Sequence, residues 1–112
     1  MMLKNDYYTY QITLAEDDQE YVGLCIEFPS LSWLDTEPEC ALSGIRQVVA
    51  DVVEDMKRNH ELIPEPLAKK KFSGRFIVRI PPDLHRRLAI EAAESGVSLN
   101  RLAAEKLSRY TQ

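Results

Sequence analysis

The hexapeptide RFIVRI at residues 75–80 limits the possible folds more than any other stretch of the chain. Its side chains alternate with a period of two, as in a β-strand. One face carries Phe76, Val78 and Ile80, and the other carries Arg75, Ile77 and Arg79. Two prolines follow at once and end the hydrogen-bonding ladder, because proline has no backbone N–H to donate. The predicted strand therefore has one apolar face, one arginine-bearing face and no second strand in its own module.

Two short helices are predicted after this strand. Pro82 and Asp83 open the first helix, and Gly96 ends it as a left-handed C-terminal residue. Ser98 then begins the second helix as its N-cap. A single strand leaves its backbone groups unpaired, and a segment as short as residues 73–112 cannot enclose a core alone.

A second copy of the chain solves both problems. The two strands pair antiparallel, their apolar faces turn inward, and four helices cover them. The predicted dimer core consists of Phe76, Val78, Ile80, Leu84, Leu88 and Leu102. The sequence predicts a homodimer and leaves a dimer of dimers open.

The opposite face of such a two-stranded ribbon fits the major groove of DNA. We expect Arg75, Ile77 and Arg79 to read base edges, because a guanidinium group can bond guanine and isoleucine can contact a thymine methyl group. Backbone phosphates are expected at the start of the second helix and at the preceding lysines. These phosphate contacts are Ser98, Asn100, Lys70 and Lys71. The alternative is an ordinary edge strand that its arginines keep soluble.

The charge of the chain changes sign near residue 68, just before the predicted strand-helix-helix segment. Residues 1–68 hold 4 basic and 14 acidic side chains, whereas residues 69–112 hold 10 basic and 4 acidic ones. This asymmetry indicates two modules with different partners. We predict an N-terminal domain at residues 1–63, a proline- and lysine-containing linker at 64–72 and the DNA-binding domain at 73–112.

The acidic module is predicted to be three strands and one long helix. The stretches YYTYQITL and YVGLCIEF alternate as a β-hairpin, with Val22, Leu24 and Ile26 on one face of the second strand. A third strand is expected at residues 31–34. Apolar residues from Ala41 to Met56 then recur at helical spacing, after a Thr36 and Glu39 capping box, and the helix is expected to end near Asn59 and His60. The predicted fold class is α+β, with a three-stranded antiparallel sheet.

No catalytic or metal-binding constellation is evident in the sequence, so we expect no enzyme activity and no cofactor. The acidic residues at 16–20 are adjacent in a turn, where their carboxylates diverge, although a metal-dependent nuclease is a remote alternative. His60 and His85 have no nearby nucleophile. Cys25 and Cys40 lack metal-ligand spacing and are expected to be reduced, mostly buried thiols.

No apolar run approaches the 18 or so residues of a membrane span, and the first ten residues lack the apolar core of a secretory signal. These features predict a cytoplasmic protein without membrane contact.

The stretch SGRFIVRIPPDLHRRLAIEAAESGVSLNRLAAEKL resembles the ribbon-helix-helix domain of Arc, MetJ and CopG type repressors. More narrowly, it resembles the C-terminal domain of HicB-family antitoxins, over essentially all of residues 73–109. The N-terminal stretches GLCIEFPSLS, DTEPECAL and NHELIPEP are similar to the HicB N-terminal domain, which has a degenerate RNase H-like fold. Where relatives often carry glycine, this chain has His60.

The resemblance implies a type II antitoxin. Its N-terminal domain would neutralise HicA, a small basic toxin that cleaves mRNA, and its C-terminal domain would repress the operon that encodes both. The family's groove-reading positions correspond to Arg75, Ile77 and Arg79, and its phosphate contact to Ser98 and Asn100. The alternative is a stand-alone ribbon-helix-helix repressor without a toxin partner.

Overall fold

A computed structural model describes residues 4–111 of the chain, which divide into two compact units between Ser73 and Gly74. The first unit contains a short 3₁₀ helix (Lys4–Tyr7), strands β1 (Tyr10–Ala15), β2 (Glu20–Cys25) and β3 (Ser32–Asp35), and helix α1 (Pro38–Arg58). The second contains helices α2 (Pro82–Ser95) and α3 (Leu99–Ser108), and ends in a 3₁₀ turn (Arg109–Thr111). The predicted linker, residues 64–72, lies within the first unit.

The three strands form one antiparallel sheet in the order β1-β2-β3. In the β1–β2 hairpin, Ile12 pairs with Gly23 and Thr13 with Val22. On the other side of β2, Val22 also pairs with Leu34. This α+β unit, with its three-stranded antiparallel sheet and one long helix, has the architecture that the sequence predicted.

Helix α1 covers one face of this sheet. Gly23 and Cys25 are the buried residues of β2, and Tyr10 packs against the same core. Val22, Leu24 and Ile26 therefore lie on the opposite, uncovered face. The alternation in the sequence identifies the two faces correctly, but the small residues, rather than the larger apolar ones, face the helix. We call the uncovered surface of Val22, Leu24, Ile26 and Leu34 the outer sheet face.

The core of the first unit forms along one side of α1. Ile45 and Val49 are fully buried there, and Val53 is nearly so. The other buried members of this cluster are Tyr8, Cys25 and Phe28, with the Tyr8 and Phe28 rings edge to face at a centroid distance of 5.2 Å.

The two ends of α1 differ in how well the sequence predicts them. The N-cap residue is Glu37, and its side chain makes no capping hydrogen bond. The backbone N–H of Glu37 donates to Asp35 Oδ1 at 3.4 Å. The predicted capping box of Thr36 and Glu39 is therefore wrong. The C-terminal end lies at Asn59 as predicted, and His60 adopts a left-handed φ of 57°. His60 thus occupies the conformation that glycine ordinarily takes after a helix.

Gly23 allows α1 to lie close against β2. A Cβ atom at this position would lie 2.5 Å from the carbonyl oxygen of Ala41 and 2.9 Å from Cγ2 of Ile45. Gly44, on α1, lies against the indole ring of Trp33, and a Cβ atom there would overlap Cδ1, Nε1 and Cγ of that ring even more severely.

The segment that leaves α1 is held against the sheet by two side chains. Tyr8 donates its hydroxyl to the carbonyl oxygen of Pro64 at 2.7 Å. Glu27 accepts hydrogen bonds from the N–H groups of Thr9 and Leu67, both at 2.9 Å. Desolvation alone would raise the pKa of Glu27, but these hydrogen bonds outweigh it and hold the pKa below its ordinary value of 4.5.

In the second unit, the predicted helix ends are confirmed. Gly96 follows α2 with a φ of 69°, and its N–H donates to the carbonyl groups of Ala92 and Ala93. Ser98 is the N-cap of α3, and its hydroxyl accepts from the N–H of Arg101 at 3.0 Å. An ion pair joins the two helices, with Lys106 Nζ 3.1 Å from Glu91 Oε2.

The two cysteines have different environments. Both are free thiols, but Cys25 is buried and Cys40 is exposed in the first turn of α1, so the prediction of burial is wrong for Cys40. Burial raises the pKa of Cys25 to about 11.

Of the helices in residues 4–111, none combines the length and apolarity needed to cross a membrane.

Replacement of Gly23 by alanine is expected to lower the free energy of unfolding by about 1–3 kcal/mol, because the added methyl group meets helix backbone. Thr36→Ala is the control, because Thr36 is exposed and is not the N-cap of α1. It should change the free energy of unfolding by no more than about 0.5 kcal/mol. Urea unfolding followed by Trp33 fluorescence measures both variants. A loss for Gly23→Ala no larger than that for Thr36→Ala would contradict the tight contact between α1 and β2.

Glu27→Gln is expected to cost about 1 kcal/mol at pH 7, because a neutral amide accepts hydrogen bonds more weakly than a carboxylate. The pKa of Glu27 is lowered in the folded state, so its contribution is complete above its ordinary pKa of 4.5. That contribution is lost as the pH falls through the folded-state pKa. Urea unfolding of both proteins between pH 3 and 7 should therefore show a difference that disappears in acid. Glu61→Gln is the control in the same segment, and a pH-independent difference would exclude this role for Glu27.

Candidate DNA-binding and protein-binding surfaces

The segment with alternating arginines is exposed throughout. Residues 71–81 form neither helix nor strand in this single chain. The exposed fractions are 74% for Phe76, 59% for Val78 and 92% for Ile77. A strand is defined by its pairing, so the predicted ribbon requires a second chain and stays a prediction. What the structure establishes is that Phe76 and Val78 are largely exposed within one chain, whereas Ile80 is 38% exposed.

The helices of the second unit bury very little. Ala92 and Leu102 are its buried hydrophobic residues among those that the structure describes. Leu84 and Leu107 are exposed and Leu88 is half-buried, although all three lie on the apolar stripes of their helices. Of the predicted dimer core, Leu102 alone is buried in the single chain. A unit with so small a core is incomplete by the standards of independently folded domains.

The predicted phosphate contacts lie at two places. Ser98 and Asn100 are exposed at the first turn of α3, where backbone N–H groups and the helix dipole favour an anion. Lys70 and Lys71 are exposed in the segment before residue 74. The Lys70 ammonium lies 5.6 Å from the centre of the Phe72 ring, and the neighbouring Lys69 lies 4.2 Å from that of Tyr7.

The outer sheet face is a surface that the sequence did not single out. Leu34 is 52% exposed, Ile26 is also exposed, and Val22 and Leu24 are half-buried. None of these four side chains packs against the core cluster under α1. The sequence signal that could have revealed this face is the small pair Gly23 and Cys25. Small residues on one face of a strand permit close helix packing, which leaves the larger residues outside.

The acidic residues in the turn between β1 and β2 are not grouped as a metal site. Glu16, Asp17 and Asp18 are exposed, and the turn is completed by Gln19 with a left-handed φ of 55°. His60 and His85 are also exposed. Within residues 4–111, no group of three or more histidine, cysteine or acidic side chains is arranged to hold a metal ion.

A cavity of about 430 Å³ lies in the first unit between the 3₁₀ helix, α1 and the segment that follows α1. Its lining includes Tyr7, Lys57, Ile63 and Lys69. It contains none of the residues predicted to contact DNA.

A comparison with protein families identifies a similarity in the second half of the chain. The model of the HicB family matches residues 59–107. The match supports an antitoxin of the HicB type, with a toxin as partner in general terms. It covers less than half of the chain, beginning at the end of α1 and extending almost to the end of α3. No curated protein and no solved structure matches this chain.

The matched range includes the residues predicted to contact DNA and to form the dimer core. It also includes Pro64 and Leu67, through which the segment after α1 is held to the sheet. The sheet and all of α1 lie outside it. The resemblance of residues 23–42 to the HicB N-terminal domain therefore remains a prediction.

Proposed function

We propose that this protein is a type II antitoxin that represses its own operon through residues 73–112 and neutralises a HicA-like mRNA-cleaving toxin through its N-terminal unit. It acts by binding and carries out no catalysis of its own. The observation that carries the proposal is the HicB family match over residues 59–107. The physical properties of the two units support it.

The first support is the incomplete core of the second unit. The apolar row that alternates in the sequence, Phe76, Val78 and Ile80, is 74%, 59% and 38% exposed, in a unit whose helices bury only Ala92 and Leu102 among the described residues. An antiparallel pair of these segments, one from each of two chains, would satisfy the backbone and cover that row. The row is apolar and repeats with a period of two, so a second copy of the same segment is the natural partner. We therefore propose a ribbon-helix-helix homodimer, which can associate further into a dimer of dimers.

The second support is charge. Residues 69–112 carry a net charge of +6 within an acidic chain. Pairing through the apolar row would place Arg75, Ile77 and Arg79 of both chains on the opposite side of the ribbon. Two arginines separated by one isoleucine on such a ribbon suit direct reading of bases in the major groove. The α3 start at Ser98 and Asn100 would then position the dimer on phosphates.

A stand-alone repressor is the second candidate. The observation that favours it is the range of the family match, which leaves residues 1–58 unmatched. The two candidates differ in one observable property. An antitoxin requires a small basic protein, encoded beside its own gene, whose RNA cleavage it suppresses. A stand-alone repressor has no such neighbour.

Val78→Lys is expected to abolish dimerisation, because it places a charge in the proposed dimer core. Ile77→Lys, on the proposed DNA face, is the matched control and should leave the dimer intact. Sedimentation equilibrium over a range of protein concentrations measures both variants. Circular dichroism should also show a loss of helix for Val78→Lys alone, since α2 and α3 depend on the dimer. Equal behaviour of the two variants would rule out the proposed ribbon.

Arg75→Ala and Arg79→Ala should each weaken binding to the DNA upstream of the gene by roughly 1–3 kcal/mol and relax base preference. Fluorescence anisotropy titrations at several salt concentrations measure this effect. The affinity of the wild type should fall steeply with salt, because phosphate neutralisation releases counterions. Arg58→Ala, which removes an exposed arginine of α1, is the control and should bind as the wild type does. Wild-type affinity in both test variants would refute base reading by residues 75–79.

A further inference from the structure

The outer sheet face is an apolar surface on a unit whose core is already complete. The first unit buries Ile45, Val49 and Cys25 almost fully on the other side of its sheet. Within the described residues, no buried side-chain nitrogen or oxygen lacks a hydrogen-bond partner. The outer face is thus not needed to close the fold, unlike the apolar row of the second unit. An apolar sheet face left uncovered in this way is typical of a binding surface.

The outer sheet face carries both apolar and polar side chains. Val22 lies at its centre, paired with Leu34 on one side and with Thr13 on the other. Leu24 pairs with Gln11 and Ser32, so polar side chains alternate with apolar ones across the strands. Interfaces between obligate partners are larger and more apolar than this. The face therefore suits a partner that folds separately and binds this protein afterwards.

Charge distinguishes the possible partners. The segments at residues 16–20 and 35–39 contain seven carboxylates and no lysine or arginine. These carboxylates are Glu16, Asp17, Asp18, Glu20, Asp35, Glu37 and Glu39. The strand register brings the two segments to one end of the sheet, because Ala15 pairs with Glu20 and Tyr21 pairs with Asp35. We call this group the acidic end.

The acidic end adjoins the outer sheet face. Leu34 directly precedes Asp35, and Val22 is two residues from Glu20. A second copy of this chain would bring another acidic surface to the same interface, since residues 1–68 carry a net charge of −10. A basic partner would instead be attracted, and complementary charges at the rim of an apolar contact raise the association rate.

We infer that the outer sheet face, Val22, Leu24, Ile26 and Leu34, is the docking surface for a small basic protein, which the acidic end steers into place. This inference rests on the proposed antitoxin function and identifies the surface that the toxin would contact. The face opposite α1 binds the partner, and α1 itself remains free of it.

The test uses the full-length chain and the small basic protein encoded by the reading frame beside its gene. Leu34→Arg should weaken their complex at least about tenfold, because it puts a positive charge on the docking surface. Leu24→Arg, at the neighbouring strand, should do the same. Leu62→Arg is the matched control, since Leu62 is 96% exposed and lies outside the outer sheet face. Calorimetric titration gives each affinity, and Trp33 fluorescence with urea unfolding verifies that each variant is folded.

A second pair of variants tests the acidic end. Asp17→Lys with Asp18→Lys should reduce the association rate about tenfold at low salt and leave the dissociation rate nearly unchanged. Glu54→Lys with Asp55→Lys makes the same change in net charge on the exposed side of α1, away from the outer face. This control should slow association much less. Stopped-flow mixing at several salt concentrations measures both rates.

The outcomes separate the inference from the proposed function. Weak binding by Leu34→Arg and Leu24→Arg, with normal binding by Leu62→Arg, supports the surface. Equal binding by all three, each folded, overturns the surface but leaves the antitoxin function intact. Absence of a basic protein beside the gene, or of binding by the wild type, removes the toxin partner and the inference with it. If Leu34→Arg instead halves the mass of the free protein and leaves partner binding unchanged, a second copy occupies this face, and the inference is wrong.

Discussion

The close contact between α1 and β2 at Gly23 determines the organisation of the first unit. Because a side chain at this position would meet the Ala41 carbonyl group, only glycine lets the helix lie so near the strand. That contact buries Ile45 and Val49 against the small residues of β2. It also turns Val22 and Leu24 to the opposite side. The covered face and the uncovered face of the sheet are thus consequences of a single packing interaction.

Each unit has exposed apolar side chains, but the two surfaces indicate different kinds of partner. In the second unit, Phe76 and Val78 are largely exposed, and the buried core among the described residues is only Ala92 and Leu102, so this unit has the less complete fold. In the first unit, the core between α1 and the sheet completes the fold, and the outer sheet face is a small additional apolar surface. Incomplete folding favours a permanent partner, whereas a complete unit with a spare surface favours a reversible one. A homodimer through one unit and a separate protein at the other is consistent with both.

The segment after α1 belongs to the family match and is hydrogen-bonded to the rest of the first unit. The match begins at Asn59, and the following residues are held to the sheet by Tyr8 at Pro64 and by Glu27 at Leu67. Glu27 accepts hydrogen bonds from Thr9, just before β1, and from Leu67 of this segment, and these bonds lower the pKa of its carboxyl group. The chain that leads to the basic unit therefore starts from a fixed point on the acidic one. Such anchoring suits a protein whose two units serve different partners.

The secondary-structure elements and the division of charge could be predicted from the sequence. Periodicity identified the three strands and α1, and the local chemistry of Gly96 and Ser98 identified the boundary between α2 and α3, because such caps depend on residues near in the chain. Which face of β2 is covered depends on the tertiary structure, since alternation predicts two faces without saying which one a helix covers. The same holds for the N-cap position of α1, which is Glu37 rather than Thr36, and for the exposure of Cys40 beside the burial of Cys25. The hydrogen bonds of Glu27 to Thr9 and Leu67 likewise join residues distant in sequence, which only the folded chain brings together.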